Sequence, residues 1–363
     1  MNYTDPKAVM LEDSIMQKGE LTTAGSKILE DFISPINANV VERLLDNGYK
    51  IVGKTNMDEF GISSIFSDKP DVISGAVKAV ADGVVAYSLC NDIYGKYRLQ
   101  AAENGCCYIH PTYGTVSRYG LIPMVSSMDQ IGIICKNLKD GFELLSFIAG
   151  SDVNDGAMFP DKIYDYAKLS KNIRIGIPDS IIKKADKDTQ EAIQNFAENF
   201  DSINIKLENF DVYKQVMYIL SCAEISNNIN RYDGIKFGYR ASSYRGIDEL
   251  YIKTRTEGFG LQTKLVAIIG SMVLSQNNYV PYYEKAMKVR RLIKESLRFD
   301  EYDIIVLPCK ISENPYENLS LYSLATLVGL PSISFSFKGQ GIQLIANVKN
   351  ENLLSTIWEV CIE

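Results

Sequence analysis

Short apolar runs of strand length, separated by longer stretches of helical periodicity, constrain the fold of this chain more than any other feature. Lys50 to Gly53, Val84 to Leu89, Arg174 to Ile177, Asp303 to Leu307, Ser332 to Phe335 and Gly341 to Ile345 read as strands. Between them lie segments with apolar residues on one helical face. Asn39 to Asn47 carries Val40, Val41, Leu44 and Leu45 ahead of a glycine stop at Gly48. Ala76 to Asp82 suits a short helix ending at Gly83, and Asn137 with Asp140 caps a helix that runs to Ala149 and closes at Gly150. Thr189 to Phe200, Val212 to Ile229, Leu261 to Gln276 and Tyr282 to Phe299 share the helical period, while Cys90 to Arg98 reads as a strand-to-helix loop. Strands alternating with helices predict an α/β sandwich, and the absence of a linker or repeat predicts one domain over residues 1–363.

Charge and cysteine usage narrow the function. Forty-five acidic against 38 basic residues leave a net charge of -7, and no stretch gathers lysine and arginine into a basic face. A direct, charge-driven grip on nucleic acid is therefore not expected. The most apolar run, Leu265 to Leu274, is too short to cross a bilayer and contains Gly270 and Ser271, and the Asn2-Tyr3-Thr4-Asp5 start is not that of a signal peptide. Seven cysteines (Cys90, Cys106, Cys107, Cys135, Cys222, Cys309 and Cys361) without C-x-x-C spacing, beside a single histidine, predict free thiols in a reducing cytoplasm and no metal site. The glycine-rich GFGLQT at Gly258 has no strand before it, so no nucleotide cofactor follows, and the charged run Lys183 to Asp188 reads as solvated surface.

Several segments are more specific than composition. LTTAGSKILEDF from Leu21, GKTNMDEFG from Gly53, HPTYGTVSRYGLIPMVSSMDQIG from His110 and RYDGIKFGYR from Arg231 resemble the amidase-signature family, above all the A subunits of glutamyl-tRNA(Gln) and aspartyl-tRNA(Asn) amidotransferases. TEGFG at Thr256, KVRRLIK at Lys288, VGLPSIS at Val328 and GIQLI at Gly341 extend the resemblance along nearly the entire chain. It implies an α/β/α sandwich around a large, mixed, twisted sheet. It also implies B and C subunits as partners, with tRNA met only through the complex: such an A subunit hydrolyses glutamine and passes ammonia to the B subunit.

The resemblance further implies a serine nucleophile, a bridging serine and a lysine base, joined in one proton relay. In this chain LEDSI (Leu11 to Ile15) falls on the family's lysine segment and puts Glu12 at the lysine position. Counting back from AVADGVVAYSLCND puts Val72 at the bridging serine, and DIYGKYR (Asp92 to Arg98) puts Lys96 at the nucleophile. None of the three can play its family role: a carboxylate has the wrong charge, an isopropyl group neither donates nor accepts, and an ammonium is no hydroxyl. Ile93 and Tyr94 replace a threonine and a glycine of the oxyanion loop, so that turn is expected to be remodelled and closed. The chain is shorter than the family between Phe60 and Val72, and most of the family's N-terminal helical segment is missing.

Substrate contacts carried over from the family are Arg290 in KVRRLIK and Tyr239 in FGYR, whereas its acidic ligand falls near Asn318 or Leu319. For Arg290 the competing reading is an arginine packed along its helix or capping a buried carbonyl. Cys90 reads as a buried small hydrophobe, Cys106 and Cys107 should face opposite sides of a strand, His110 reads as packed or surface, and Lys54 is distinct from the catalytic lysine position. Glu12 and Lys96 are expected either to pair across the old relay or to leave Lys96 pointing to solvent. Three functions remain open: a catalytically silent A-type subunit, an enzyme of altered chemistry using Lys96, and a stand-alone regulatory or degenerating pseudoenzyme.

Overall fold

Ten strands form one mixed sheet in a computed structural model that describes residues 5–62, 72–161, 163–167 and 172–357. In chain order the strands are β1 (Ala8–Glu12), β2 (Lys50–Thr55), β3 (Tyr87–Asn91), β4 (Cys107–His110), β5 (Ile131–Cys135), β6 (Arg174–Ile177), β7 (Asp201–Asn204), β8 (Ile304–Pro308), β9 (Ser332–Phe337) and β10 (Gln340–Ala346). Their spatial order is β2-β1-β3-β5-β4-β9-β10-β8-β6-β7. The flanks are parallel (β2-β1-β3 and β8-β6-β7), and the centre from β3 through β8 is antiparallel. Inner strands such as β5 and β8 are buried along their full length, as strands covered on both faces must be.

Alternation along each strand splits the core. Val9, Leu11, Leu89, Ile109 and Ile133 face the helices Asn39–Asp46, Leu138–Ile148 and Lys187–Ala197. Ala8, Cys90, Cys106 and Tyr108 face the other way, toward the helices Gly75–Ala81 and Lys96–Glu103. A larger cluster on helices Tyr213–Asn228 and Pro315–Val328 continues that second layer. The result is the expected α/β/α sandwich, with Cys106 and Cys107 on opposite faces.

Element ends differ from the sequence reading where local chemistry is weak. Asn137 does cap its helix, accepting the Asp140 amide at 2.8 Å. The strand expected at Val84 begins at Tyr87, because Val84 and Val85 are spent in the turn that follows Gly83. The helix expected from Tyr282 to Phe299 is instead a π-helical turn, Tyr279–Glu284, running into an α-helix, Lys285–Glu295. Cys90 and Asn91 belong to β3 and Lys96 already opens a helix, so the loop between them is only four residues long.

Candidate functional site

The C-terminal ends of the parallel strands β1 and β3, paired Leu11 to Leu89, bring Glu12 beside the start of helix Lys96–Glu103. Glu12 is fully buried. Its carboxylate accepts from Ser14 Oγ at 2.6 Å, from the Asn91 amide at 3.0 Å and from the Tyr97 hydroxyl. Burial pushes this carboxyl up to about 7, against the lowering effect of those three donors, and the nearby Asp58 charge adds to the rise. The same burial raises the Tyr97 hydroxyl well above the usual phenol range.

Lys96 does not meet Glu12. Its Nζ lies 3.0 Å from Asp58 Oδ1, with the lysine side chain 14% and the aspartate 19% exposed. The expected pairing across the old relay is thus replaced by two separate arrangements, and Lys96 does not point to solvent either. The physical reason is reach and charge: Asp58 offers the ammonium a carboxylate at the site mouth, while Glu12 is already satisfied by three donors in the interior. Val72 is 85% exposed, and its carbonyl accepts from Gln100 Nε2 at 3.1 Å. Most of the segment shortened between Phe60 and Val72 lies outside the described residues.

Gly95 turns the chain at φ +87°, and a Cβ there would stand 2.0 Å from the Tyr322 ring. Its amide, which the family resemblance would aim at an oxyanion, donates to Asp92 Oδ1 at 2.8 Å. Asp92 also accepts from the Arg98 amide at 2.8 Å, and Arg98 is wholly buried, reaching Thr326 Oγ1 at 3.0 Å. Tyr94 is turned into the core beside Ser221, as a filled loop requires. Filling is incomplete, however: a cavity of about 130 Å³ remains, lined among others by Tyr94, Lys96, Gln100, Asn318 and Tyr322.

The carried-over substrate residues are dispersed. Arg290 donates to the carbonyls of Leu327 and Ser127, at 2.5 and 3.1 Å, and to Ser127 Oγ at 2.9 Å, so it occupies the carbonyl-capping role. Tyr239 lies at the surface, donating to Glu257 and covered by Lys27 at 4.2 Å from the ring. Asn318 closes its own loop, accepting the Ile311 amide at 2.9 Å and donating to the Ser312 carbonyl at 2.7 Å. Cys90 is fully buried with its thiol pushed well up by burial, and burial, with the Arg98 charge adding to it, pushes the equally buried His110 well down, so that neither is open to a substrate. Lys54 is held by Asp13 and Thr22. In GFGLQT the Gly260 amide donates to the Glu59 carboxylate at 2.9 Å, which leaves an acidic group where a phosphate would sit. Among the described residues no cluster of three His, Cys, Asp or Glu could hold a metal, and no helix is long and apolar enough to cross a membrane. Sequence reasoning missed Asp58, Tyr97 and Ser14 as the groups that define this site. Asp58 stood in plain view in GKTNMDEFG, but nothing local marked it as the partner of a lysine 38 residues away.

Comparison with known proteins agrees with this architecture. The Amidase family model matches residues 8–69 and 74–354. The A subunit of glutamyl-tRNA(Gln) amidotransferase from Lachnoclostridium phytofermentans is 39% identical over 365 residues, covering 90% of this chain and 74% of that protein. Its counterpart from Sulfolobus acidocaldarius is 36% identical over 369 residues, covering 90% and 77%. The crystal structure of the Thermotoga maritima A subunit matches with a TM-score of 0.74 at 27% identity, over 96% of this chain and 81% of that one. Native peptide amidase from Stenotrophomonas maltophilia shares the fold, with a TM-score of 0.77 at 23% identity over 97% of this chain and 81% of that one. With a family match through nearly all of residues 8–354 and relatives more than 30% identical over about three quarters of their own length, this chain belongs to the amidase family.

Proposed function

We propose that this chain is a non-hydrolysing A-type subunit of a tRNA-dependent amidotransferase, retained as a cytoplasmic structural partner of B and C subunits and meeting tRNA only through them. One observation carries the reading: Lys96, which the family resemblance sets at the nucleophile position, is ion-paired to Asp58. Amide hydrolysis needs an activated hydroxyl, a base and free amide donors for the oxyanion. Here the base position is a buried carboxyl, the bridging position is an exposed valine and the Gly95 amide is already committed to Asp92. The two hydroxyls that do touch Glu12, on Ser14 and Tyr97, are themselves 2% and 4% exposed, so no substrate carbonyl reaches them.

Ammonia release from glutamine and asparagine tests the silence. Turnover within about 100-fold of an intact family member refutes it, because losing nucleophile and base together removes several orders of magnitude. Co-purification from the native cell tests the partnership, with B and C subunits expected in stoichiometric amounts. The cavity beside Lys96 supports a second reading, an altered enzyme that uses this amine. Against it, the ammonium is already engaged by Asp58, and borohydride trapping of candidate carbonyl substrates is expected to leave Lys96 unmodified.

A further inference from the structure

Strands covered on both faces ordinarily read as unbroken apolar runs, yet the centre of this sheet alternates as if one face met solvent. Ile109, Ile333, Phe335, Ile342 and Leu344 face one apolar layer. Between them β4, β9 and β10 turn His110, Ser332, Ser334 and Gln343 to the other side, where helices Lys96–Glu103 and Pro315–Val328 cover them and each is 0% exposed. Register gathers the four: His110 pairs with Ser332 across β4 and β9, and Ser334 pairs with Gln343 across β9 and β10. Gln130, 4% exposed at the start of β5, joins them. Six atoms of this group have no hydrogen-bond partner among the described residues: both ring nitrogens of His110, the hydroxyls of Ser332 and Ser334, and Oε1 of Gln130 and of Gln343. Gln130 lies beside the His110 ring and Cys309 beside Ser334, but neither contact has bonding geometry.

We propose that this layer is a binding site for water, holding a short chain of about two or three ordered molecules between the sheet and helix Pro315–Val328. The chemistry of the five side chains selects that ligand. Both glutamines spend their amide donors, on the Pro111 and Leu321 carbonyls, so each offers an acceptor only. Burial, with the Arg98 charge adding to it, holds His110 well below its ordinary value, so the neutral ring offers one donor and one acceptor. Arg98 is itself paired with Asp92 at 3.1 Å. The group is therefore neutral, and its ligand must be neutral and must donate as well as accept. Neighbouring strands lie about 4.8 Å apart, and a molecule making two bonds of about 2.8 Å at a tetrahedral angle spans about 4.5 Å. Water fits that gap. Left unmet, six buried polar atoms would cost the fold on the order of its entire stability. The bound chain thereby joins β4, β9 and β10 to the helix that carries Asn318 and Tyr322 to the cavity beside Lys96.

His110 is the single histidine of the sequence, so nitrogen-15 histidine labelling of the full chain gives one ring to read by NMR. The ring is expected to show one protonated and one bare nitrogen, and its N–H proton to cross-relax with the water resonance with the sign of water bound for longer than the protein tumbles. Ser332→Val, whose methyl groups take the place of the hydroxyl and its water, should lose that cross-peak while the amide spectrum stays that of a folded chain. Should that variant unfold, Ser332→Ala, which removes one anchor without adding bulk, should weaken the peak by at least about 3-fold. A crystal structure of the wild-type chain at about 1.5 Å reads the same site by position, with at least two waters expected within about 3.2 Å of these polar atoms. A dry site in that structure, an ion in place of water, or a ring N–H whose shift moves in Gln130→Met but which never cross-relaxes with water overturns the proposal, because the protein then closes the network itself. The outcome is independent of ammonia release, so either reading can fail without the other.

Discussion

Replacing Glu12 by glutamine isolates the energetic cost of placing a carboxyl where the family resemblance expects a lysine. Glu12 is fully buried and its carboxyl is pushed up to about 7 from the ordinary 4.5. Between those two values the folded chain keeps a proton that the unfolded chain has already released. Stability therefore falls as pH rises from about 4.5 to about 7, and it is level on either side of that window. The displacement is worth about 3 kcal/mol in full, of which about 2.5 kcal/mol falls between pH 5 and pH 8. Glutamine keeps the geometry: its carbonyl can accept from Ser14 and from the Asn91 amide, while its NH₂ faces a Tyr97 hydroxyl free to turn and accept. The variant is expected to lose about 2 to 3 kcal/mol of pH dependence and to be the more stable protein at pH 8. Asp129, Glu103 and Glu351 are also raised by burial, but they contribute equally to both proteins and cancel in the difference. Urea unfolding of both proteins at pH 5 and pH 8 measures it. A stability difference that changes by less than about 1 kcal/mol between the two pH values would refute the placement of an ionisable, buried Glu12.

Three further outcomes are expected. Gly95→Ala should destabilise the chain by about 3 kcal/mol or more in chemical denaturation, because its φ of +87° disfavours a side chain and the new Cβ would overlap the Tyr322 ring at 2.0 Å. Rebuilding the relay with Glu12→Lys, Val72→Ser and Lys96→Ser together should still release no ammonia from glutamine, since Tyr94 fills the loop and Asp92 holds the Gly95 amide; robust glutaminase activity would show that the site is less remodelled than argued. The chain should unfold in one calorimetric transition, as the single ten-stranded sheet implies, and two separable transitions would divide it into domains.

Much of the fold was legible because it is written in neighbours. The periodicity of Asn39 to Asn47, the Asn137 cap and the apolar runs of β8, β9 and β10 depend on residues a few positions apart. β1 escaped notice because its five residues end in Glu12 and give no turn signal, although it lies hydrogen-bonded between β2 and β3. The assignment of Glu12, Val72 and Lys96 to the relay positions rests on the family resemblance and a register along the chain. Where those side chains go was not legible. Lys96 finds Asp58 rather than Glu12, and Arg290 finds Ser127, 163 residues earlier, because the order of strands and the packing of helices decide which groups come within about 3 Å. The apolar character of Leu265 to Leu274 is likewise a property of sequence, but that one face of it meets helix Tyr213–Asn228 while the other meets water is set by the tertiary arrangement. Local propensity and periodicity act over a turn or two of chain, whereas charge pairing, burial and the pKa shift of Glu12 depend on distances through space that only the closed fold defines.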